Sequence, residues 1–269
     1  MRIAIIAILL AMSGCVSAPQ QQLSHTPATQ GSPVNQSPAD GPTRILFVGN
    51  SYFYYNNSLH NHVRGIISAA DPSSEKSLEF TSATIGGAPL AYHNIQYLLE
   101  PGRLGTKQPF DVVILAGNST DALSDAARAS FRQKVIEFNA EIMKRGGKTA
   151  LYMTHAHVKP STSASPDMIR KVEDMYVSVG NEVGAIVIPV GLAFEEAYRQ
   201  RPDIKLHQDY DGSHPTLNGT YLAACVVYAS LYGKSPVGNT YDYYGKVDKE
   251  MATFLQKVAD ETVRKFYGR

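Results

Sequence analysis

Short apolar segments alternate with helical patterns along most of the chain, and this alternation is the feature that most limits the possible folds. Helical patterns separate segments that are apolar enough to be buried on both faces, which is typical of a parallel sheet with helices on both sides. The sequence therefore predicts one α/β domain. The predicted strands are 44–48, 78–84, 112–116, 148–154 and 185–189, and the predicted helices are 59–70, 124–145, 166–183, 217–232 and 246–266.

The N-terminus has the pattern of a secretory signal. Residues 1–14 carry the basic Arg2 near their start, followed by an apolar run. This run is too short for a membrane-spanning helix, which needs about 20 apolar residues. The sequence Met-Ser-Gly-Cys that ends at Cys15 resembles a bacterial lipobox, in which the Cys receives lipid. Ordinary cleavage after Ala18 is the alternative, and Pro19 directly after that bond disfavours it.

Composition then divides the rest of the chain into two parts. Residues 15–42 are rich in Pro, Gln, Ser and Thr, so we expect the lipidated Cys to be followed by a disordered linker. Residues 43–269 form the predicted folded domain. Together with the lipobox, this organisation predicts a protein of the bacterial cell envelope, lipid-anchored at the outer membrane or the periplasmic face.

Charge and cysteine content limit the possible partners. The net charge is +1 and the chain has no basic run, so we expect no nucleic-acid partner and a membrane contact only through the N-terminal lipid. If Cys15 carries lipid, Cys225 has no cysteine left to pair with. Its apolar neighbours predict a buried small side chain rather than a catalytic thiol. No pattern predicts an oligomeric state.

Two motifs far apart in the sequence supply the groups of a serine hydrolase. Gly-Asn-Ser ends at Ser51, directly after the first predicted strand, and Asp-Gly-Ser-His begins at Asp211. Ligands of parallel α/β sheets bind beyond the carboxyl ends of the strands, where Ser51 is expected. Ser51 is the candidate nucleophile, His214 the candidate base, and Asp211 the carboxylate that orients the imidazole.

Such a reaction also needs donors for an oxyanion. Gly87 follows the second predicted strand and can present its backbone N–H without a side chain in the way. Asn118 follows the third predicted strand and can donate from its amide. With the backbone N–H of Ser51, these groups form the predicted oxyanion hole.

These residues make the chain similar to a known family. The SGNH hydrolases, also called GDSL esterases and lipases, carry Ser, Gly, Asn and His in four blocks, with Asp three residues before His. The chain resembles them, in the same order, at Ser51, Gly87, Asn118, Asp211 and His214. The resemblance implies a flavodoxin-like three-layer α/β/α sandwich with a parallel five-stranded sheet. It also implies ester hydrolysis without a metal or a cofactor.

The chain departs from the family pattern at several positions. Asn50 stands where the family usually has Asp, and Tyr52 stands where it has Leu. The third block, usually Gly-x-Asn-Asp, is Ala-Gly-Asn-Ser at 116–119, and Gly86 is an alternative donor to its neighbour Gly87. These differences indicate a divergent member.

An aromatic run at 52–55 follows the candidate nucleophile. It could line an acyl pocket or stack on a sugar ring, or it could serve only packing. Tyr52 and His155 are the candidate substrate contacts.

The other histidines allow two more hypotheses. His155 and His157 could bind a metal together with His60 and His62, although alternating histidines in a loop fit substrate contact or surface better. His207 could act as the base, but it lacks the Asp three residues before it. We expect no metal site.

Taken together, the sequence predicts a serine esterase that works through an acyl-enzyme. The expected substrate is a small-molecule or carbohydrate ester with a short acyl group, such as acetyl on a cell-envelope or environmental carbohydrate. One alternative is a catalytically weak binding or assembly module of the envelope, suggested by the departures at Asn50 and Ala116. Another is a lipase or lysophospholipase, which the absence of a long apolar insertion disfavours.

Overall fold

The computed structural model describes residues 41–269. The predicted signal segment, Cys15 and most of the predicted linker lie outside the described residues. Five parallel strands form one sheet in the order β2-β1-β3-β4-β5. They are β1 (Arg44–Gly49), β2 (Glu79–Thr84), β3 (Val112–Leu115), β4 (Lys148–Tyr152) and β5 (Ile186–Ile188). The predicted parallel five-stranded sheet is therefore confirmed.

Helices cover both faces of this sheet. They are α1 (Ser51–Tyr54), α2 (Leu59–Ala70), α3 (Ile95–Leu98), α4 (Asp125–Lys144), α5 (Met168–Val183), α6 (Val190–Gln200), α7 (Leu217–Tyr232) and α8 (Lys249–Tyr267). Cys225 is buried within α7, as expected. Among residues 41–269, no helix has both the length and the apolar character needed to cross a membrane.

Side chains that point alternately to the two faces of the sheet form the two hydrophobic cores of the sandwich. Ile45 and Phe47 of β1 point to one face and pack in a cluster with residues of α2, α6, α7 and α8. Leu46 and Val48 point to the other face and pack with residues of α4 and α5. Successive side chains of a strand point to opposite faces, so a strand covered on both sides must be apolar throughout.

Strand β2 differs from this pattern for a topological reason. It lies at the edge of the sheet, pairs only with β1, and has the half-buried, largely polar sequence Glu-Phe-Thr-Ser-Ala-Thr. The sequence located this strand to within one residue, although its composition is not that of a buried central strand.

The helix predictions differ from the structure mainly at the ends. Helix α5 begins at Met168 rather than 166, and α8 begins at Lys249 rather than 246 because Asp248 caps it, accepting from Met251 N–H at 2.9 Å. Helix α6 was not predicted at all. It follows β5 after the single residue Pro189, so almost no loop separates the strand from the helix.

Candidate active site

The candidate nucleophile lies where β1 turns into α1. Gly49 ends β1, and a Cβ there would lie 3.0 Å from Ala116 Cβ and from the Phe53 ring, so any larger residue would have to push these neighbours aside. Asn50 has extended backbone angles, and Ser51 is the first residue of α1. The first N–H groups of a helix have no acceptor within it, so the Ser51 N–H has no partner inside α1.

Asn50 fastens this turn to its neighbours. Its side chain is 3% exposed and donates both amide hydrogens, to Ala88 O at 3.2 Å and to Gly117 O at 2.9 Å. Its Oδ1 accepts from the Tyr52 N–H at 3.3 Å. A carboxylate could not donate these bonds, so the departure from Asp has a structural role here.

The loop that follows His207 brings the second motif to the same edge. Asp211 Oδ1 accepts from the backbone N–H of Ser213 at 2.8 Å and of His214 at 3.0 Å, and Oδ2 accepts from His214 Nδ1. Gly212 has φ +63°, and a Cβ there would lie 2.0 Å from Val158 O. Burial disfavours the Asp211 charge, but the hydrogen bonds from His214 and the two amides outweigh it and hold its pKa below the usual value.

The structure brings the predicted triad together. His214 Nε2 lies 2.8 Å from Ser51 Oγ. Since Nδ1 carries the hydrogen donated to Asp211, Nε2 is left as the acceptor for the Ser51 hydroxyl. This is the arrangement that a nucleophile, a base and an orienting carboxylate require.

The predicted oxyanion donors Gly87 and Asn118 lie side by side, and Asn50, which precedes Ser51, bonds the neighbour of each. Asn118 Oδ1 accepts from Thr120 N and Oγ1, both at 3.0 Å, and one Nδ2 hydrogen is donated to Gly87 O at 2.7 Å. The second Nδ2 hydrogen is left for a ligand. Gly87 has φ +67° with open space beside its Cα, whereas a Cβ on Gly86 would lie 3.1 Å from the Tyr54 hydroxyl. Gly87 is therefore the more accessible of the two glycines.

Two residues that support this geometry were not found from the sequence. Asp121 is 8% exposed and accepts from the Asn118 N–H at 2.8 Å, and burial raises its pKa to about 6 although that bond lowers it. His93 donates to Gly49 O at 2.9 Å and so fixes the end of β1. Asp121 lies three residues after Asn118, a spacing typical of a carboxylate that binds local backbone.

Tyr52 and His155, the candidate substrate contacts, lie inside the protein. Tyr52 is 3% exposed and His155 is 0% exposed, and their rings stack at 4.4 Å. The Tyr52 hydroxyl contacts Ser213 Oγ at 2.8 Å, and His155 Nε2 donates to Ser213 O at 2.8 Å. His155 has no exposed surface and Tyr52 almost none, so neither offers substrate a contact in this conformation, and we correct both to supports of the loop that carries His214.

The remaining histidines do not form the alternative sites. His62 bonds Asn56 O at 2.6 Å and the Tyr241 hydroxyl at 3.2 Å, whereas His155 stacks on Phe194 and bonds Ser213 O. Within residues 41–269, no group of three or more His, Cys, Asp or Glu side chains is arranged to hold a metal ion. His207 is occupied by Ala156 O and the Tyr198 hydroxyl, and burial lowers its pKa to about 4, so it does not serve Ser51.

The aromatic run divides into a buried and an exposed half. Phe53 packs in the core beside Tyr52, while Tyr54 is 42% exposed. Tyr54 stacks on Tyr55, and the Tyr55 hydroxyl meets that of the 66% exposed Tyr210 at 3.0 Å. Tyr54, Tyr55 and Tyr210 form what we call the tyrosine rim, which borders the Ser51–His214 pair.

Asp121 predicts a pH dependence of stability. Its folded-state pKa of about 6 lies above the ordinary 3.8, so its stabilising contribution is complete below about pH 4 and is lost as the pH rises through 6. Asp121→Asn keeps an acceptor for Asn118 N–H without a charge. Between pH 4 and 7, the free energy of unfolding of the wild type should fall relative to this variant by about 2 kcal/mol. Urea unfolding at several pH values measures this, and parallel profiles would contradict it.

Comparisons with known proteins agree with this fold. No protein-family model and no curated protein matches the sequence. Among solved structures, a DUF4886 family protein from Bacteroides uniformis matches with a TM-score of 0.61 at 17% identity, over 83% of this chain and 95% of that one. A candidate SGNH hydrolase from Slackia heliotrinireducens has a TM-score of 0.56 at 19% identity, over 72% of this chain and 99% of its own.

An acetylxylan esterase from Geobacillus stearothermophilus, solved as a catalytic variant, has a TM-score of 0.53 at 14% identity, over 72% of this chain and 96% of that one. At such identities the likeness concerns the course of the backbone. The five-stranded parallel sheet with helices on both faces is the architecture that these matches support. The chain therefore has the fold of the SGNH hydrolases.

Proposed function

We propose that this protein is a serine esterase, a divergent SGNH hydrolase whose nucleophile is Ser51. The observation that carries the proposal is the contact of 2.8 Å between Ser51 Oγ and His214 Nε2, with Nδ1 of the same ring bonded to Asp211. The fold and the neighbouring donors at Gly87 and Asn118 support it.

The proposed reaction follows from these positions. His214 Nε2 takes the hydroxyl proton as Ser51 Oγ attacks the ester carbonyl carbon. The carbonyl oxygen becomes an oxyanion that accepts from the Ser51 N–H, the Gly87 N–H and the free Asn118 Nδ2 hydrogen. The C–O bond to the alcohol then breaks, and His214 gives the proton to the leaving oxygen. A water activated by His214 hydrolyses the acyl-enzyme, which releases the acid and restores Ser51.

The alternative of a catalytically weak module rests on the departures at Asn50 and Ala116. Asn50 donates two structural hydrogen bonds, and Ala116 is 1% exposed in the core. Neither departure replaces Ser51, His214 or Asp211. These departures therefore change how the site is supported, and we favour the active enzyme.

Replacement of the triad residues tests the proposal. Ser51→Ala and His214→Asn should each lower the turnover of p-nitrophenyl acetate by about 10⁵-fold or more. Asp211→Asn should be about ten- to a hundredfold milder, because Asp211 only orients the imidazole and stabilises its charge. Steady-state kinetics of residues 43–269 measure all three.

Ser130→Ala, which changes an exposed serine of α4, is the matched control and should keep wild-type turnover. A fluorophosphonate probe should label the wild type and the control but not Ser51→Ala. Turnover that survives in Ser51→Ala would refute the assignment, and a wild type that resists the probe would favour the weak module.

For the substrate, we propose a short acyl ester of a carbohydrate. The exposed ring of Tyr54 and the phenol pair of Tyr55 and Tyr210 border the site, and tyrosine combines an apolar face with a hydrogen-bonding edge. Two solved structures of similar fold are described as acetylxylan esterases. Neither observation favours a long acyl chain.

Tyr54→Ala should then raise KM for an acetylated oligosaccharide about three- to tenfold more than KM for p-nitrophenyl acetate. Tyr97→Ala, a change of an exposed tyrosine of α3, is the control. Equal changes on both substrates would argue against a sugar at the rim. Faster turnover of long-chain nitrophenyl esters or lysophospholipids would favour the lipase alternative.

We also propose that Cys15 carries lipid and anchors the enzyme to the cell envelope. The support is the sequence pattern alone, with its basic start, short apolar run and lipobox. Cys15→Ser in the full chain, expressed in a bacterium fed labelled palmitate, should abolish the incorporation of label. Cys225→Ser, a change at the other cysteine, should retain it. Label in Cys15→Ser would refute the anchor.

A further inference from the structure

The ring of Tyr55 lies flat on the imidazole of His214. The ring centroids are 4.2 Å apart and the planes differ by 12°. Tyr52 approaches the same imidazole only edgewise, at 6.0 Å and 79°. One face of the proposed base is therefore covered by an aromatic face, and this contact has no part in the reaction described above.

Two further contacts hold the Tyr55 ring in place. Its backbone N–H donates to Ser51 O at the end of α1, which ties it to the nucleophile. Its hydroxyl bonds that of Tyr210 at 3.0 Å, and Tyr210 directly precedes Asp211. Tyr55 thus contacts both the segment that carries Ser51 and the segment that carries Asp211 and His214.

The chemistry of such a stack depends on the charge of the imidazole. The face of an aromatic ring is electron-rich and attracts a cation, whereas a neutral imidazole gains less. In the proposed mechanism His214 becomes a cation only when it takes the proton of Ser51. A contact that strengthens with this charge stabilises the transition state more than the ground state.

We infer that Tyr55 is a positioning residue whose ring face holds the His214 imidazole in line with Ser51 and stabilises its protonated form, an inference that rests on the proposed esterase function. Other titratable groups face this imidazole as well. They are Asp211 from its own loop, Tyr52 from α1, and His155 and His157 from the segment after β4.

Two variants separate the ring from its hydroxyl. Tyr55→Leu keeps an apolar cover but removes the aromatic face, and it should lower kcat for p-nitrophenyl acetate about two- to fivefold. It should also move the half-maximal point on the acidic limb of kcat/KM down by about half a pH unit. Tyr55→Phe keeps the aromatic face and should retain the wild-type kcat and the wild-type midpoint of the acidic limb. Tyr97→Leu controls for the loss of an exposed tyrosine.

A second readout does not depend on turnover. In the Ser51→Ala background, NMR titration of the His214 ring should give a lower midpoint with Tyr55→Leu than with Tyr55 or Tyr55→Phe. Equal midpoints in all three proteins would overturn the inference. Equal impairment of Tyr55→Phe and Tyr55→Leu would also overturn it, because the effect would then come from the hydrogen bond to Tyr210. If the wild type shows no turnover, the esterase proposal itself is refuted. The NMR comparison then still tests whether the Tyr55 ring stabilises the protonated His214 imidazole.

Discussion

The hydrogen bonds of the Asn50 amide are the interaction on which the candidate site depends. Three loops carry Ser51, Gly87 and Asn118, and each follows a different strand of the sheet. Asn50 belongs to the first loop and donates to Ala88 O in the second and Gly117 O in the third. A buried polar group left without its partner costs about 1–3 kcal/mol. Both carbonyls and both amide hydrogens are therefore satisfied only when the three loops lie together.

A second set of contacts attaches the His214 loop to this framework. The Tyr52 hydroxyl lies 2.8 Å from Ser213 Oγ, which lies 3.0 Å from His157 Nε2, and His155 holds Ser213 O. Burial lowers the pKa values of His155 and His157, so this network is uncharged near neutral pH. It holds the loop by directional hydrogen bonds without adding a positive charge that would oppose protonation of His214. Tyr52 and His155 are buried, so the packing that lets them hold this loop also removes them from the substrate.

Local patterns predicted what depends on local sequence. The strands, the turn at Ser51 and the Asp-x-x-His spacing were recognisable because each is a short pattern with a definite geometry, and the structure places Ser51, Asp211 and His214 together as that pattern requires. The role of His155 depends on its contact with Ser213, 58 residues away in the sequence, which no spacing reveals. Helix α6 was missed although its buried residues Val190, Ala193, Phe194 and Ala197 have helical spacing, because only Pro189 separates it from β5.

The aromatic run shows how four similar residues receive different roles. Helix α1 has a single turn, so Tyr52 and Phe53 point into the protein while Tyr54 and Tyr55 remain outside. The chain then passes through positive φ angles at Asn56, Asn57 and Ser58, which are unfavourable for residues other than glycine. Asn56 Nδ2 offsets this strain with bonds to Pro215 O at 3.0 Å and Thr220 Oγ1 at 2.8 Å. Since Pro215 directly follows His214, the same bonds that hold the strained turn also fix Tyr55 above the imidazole.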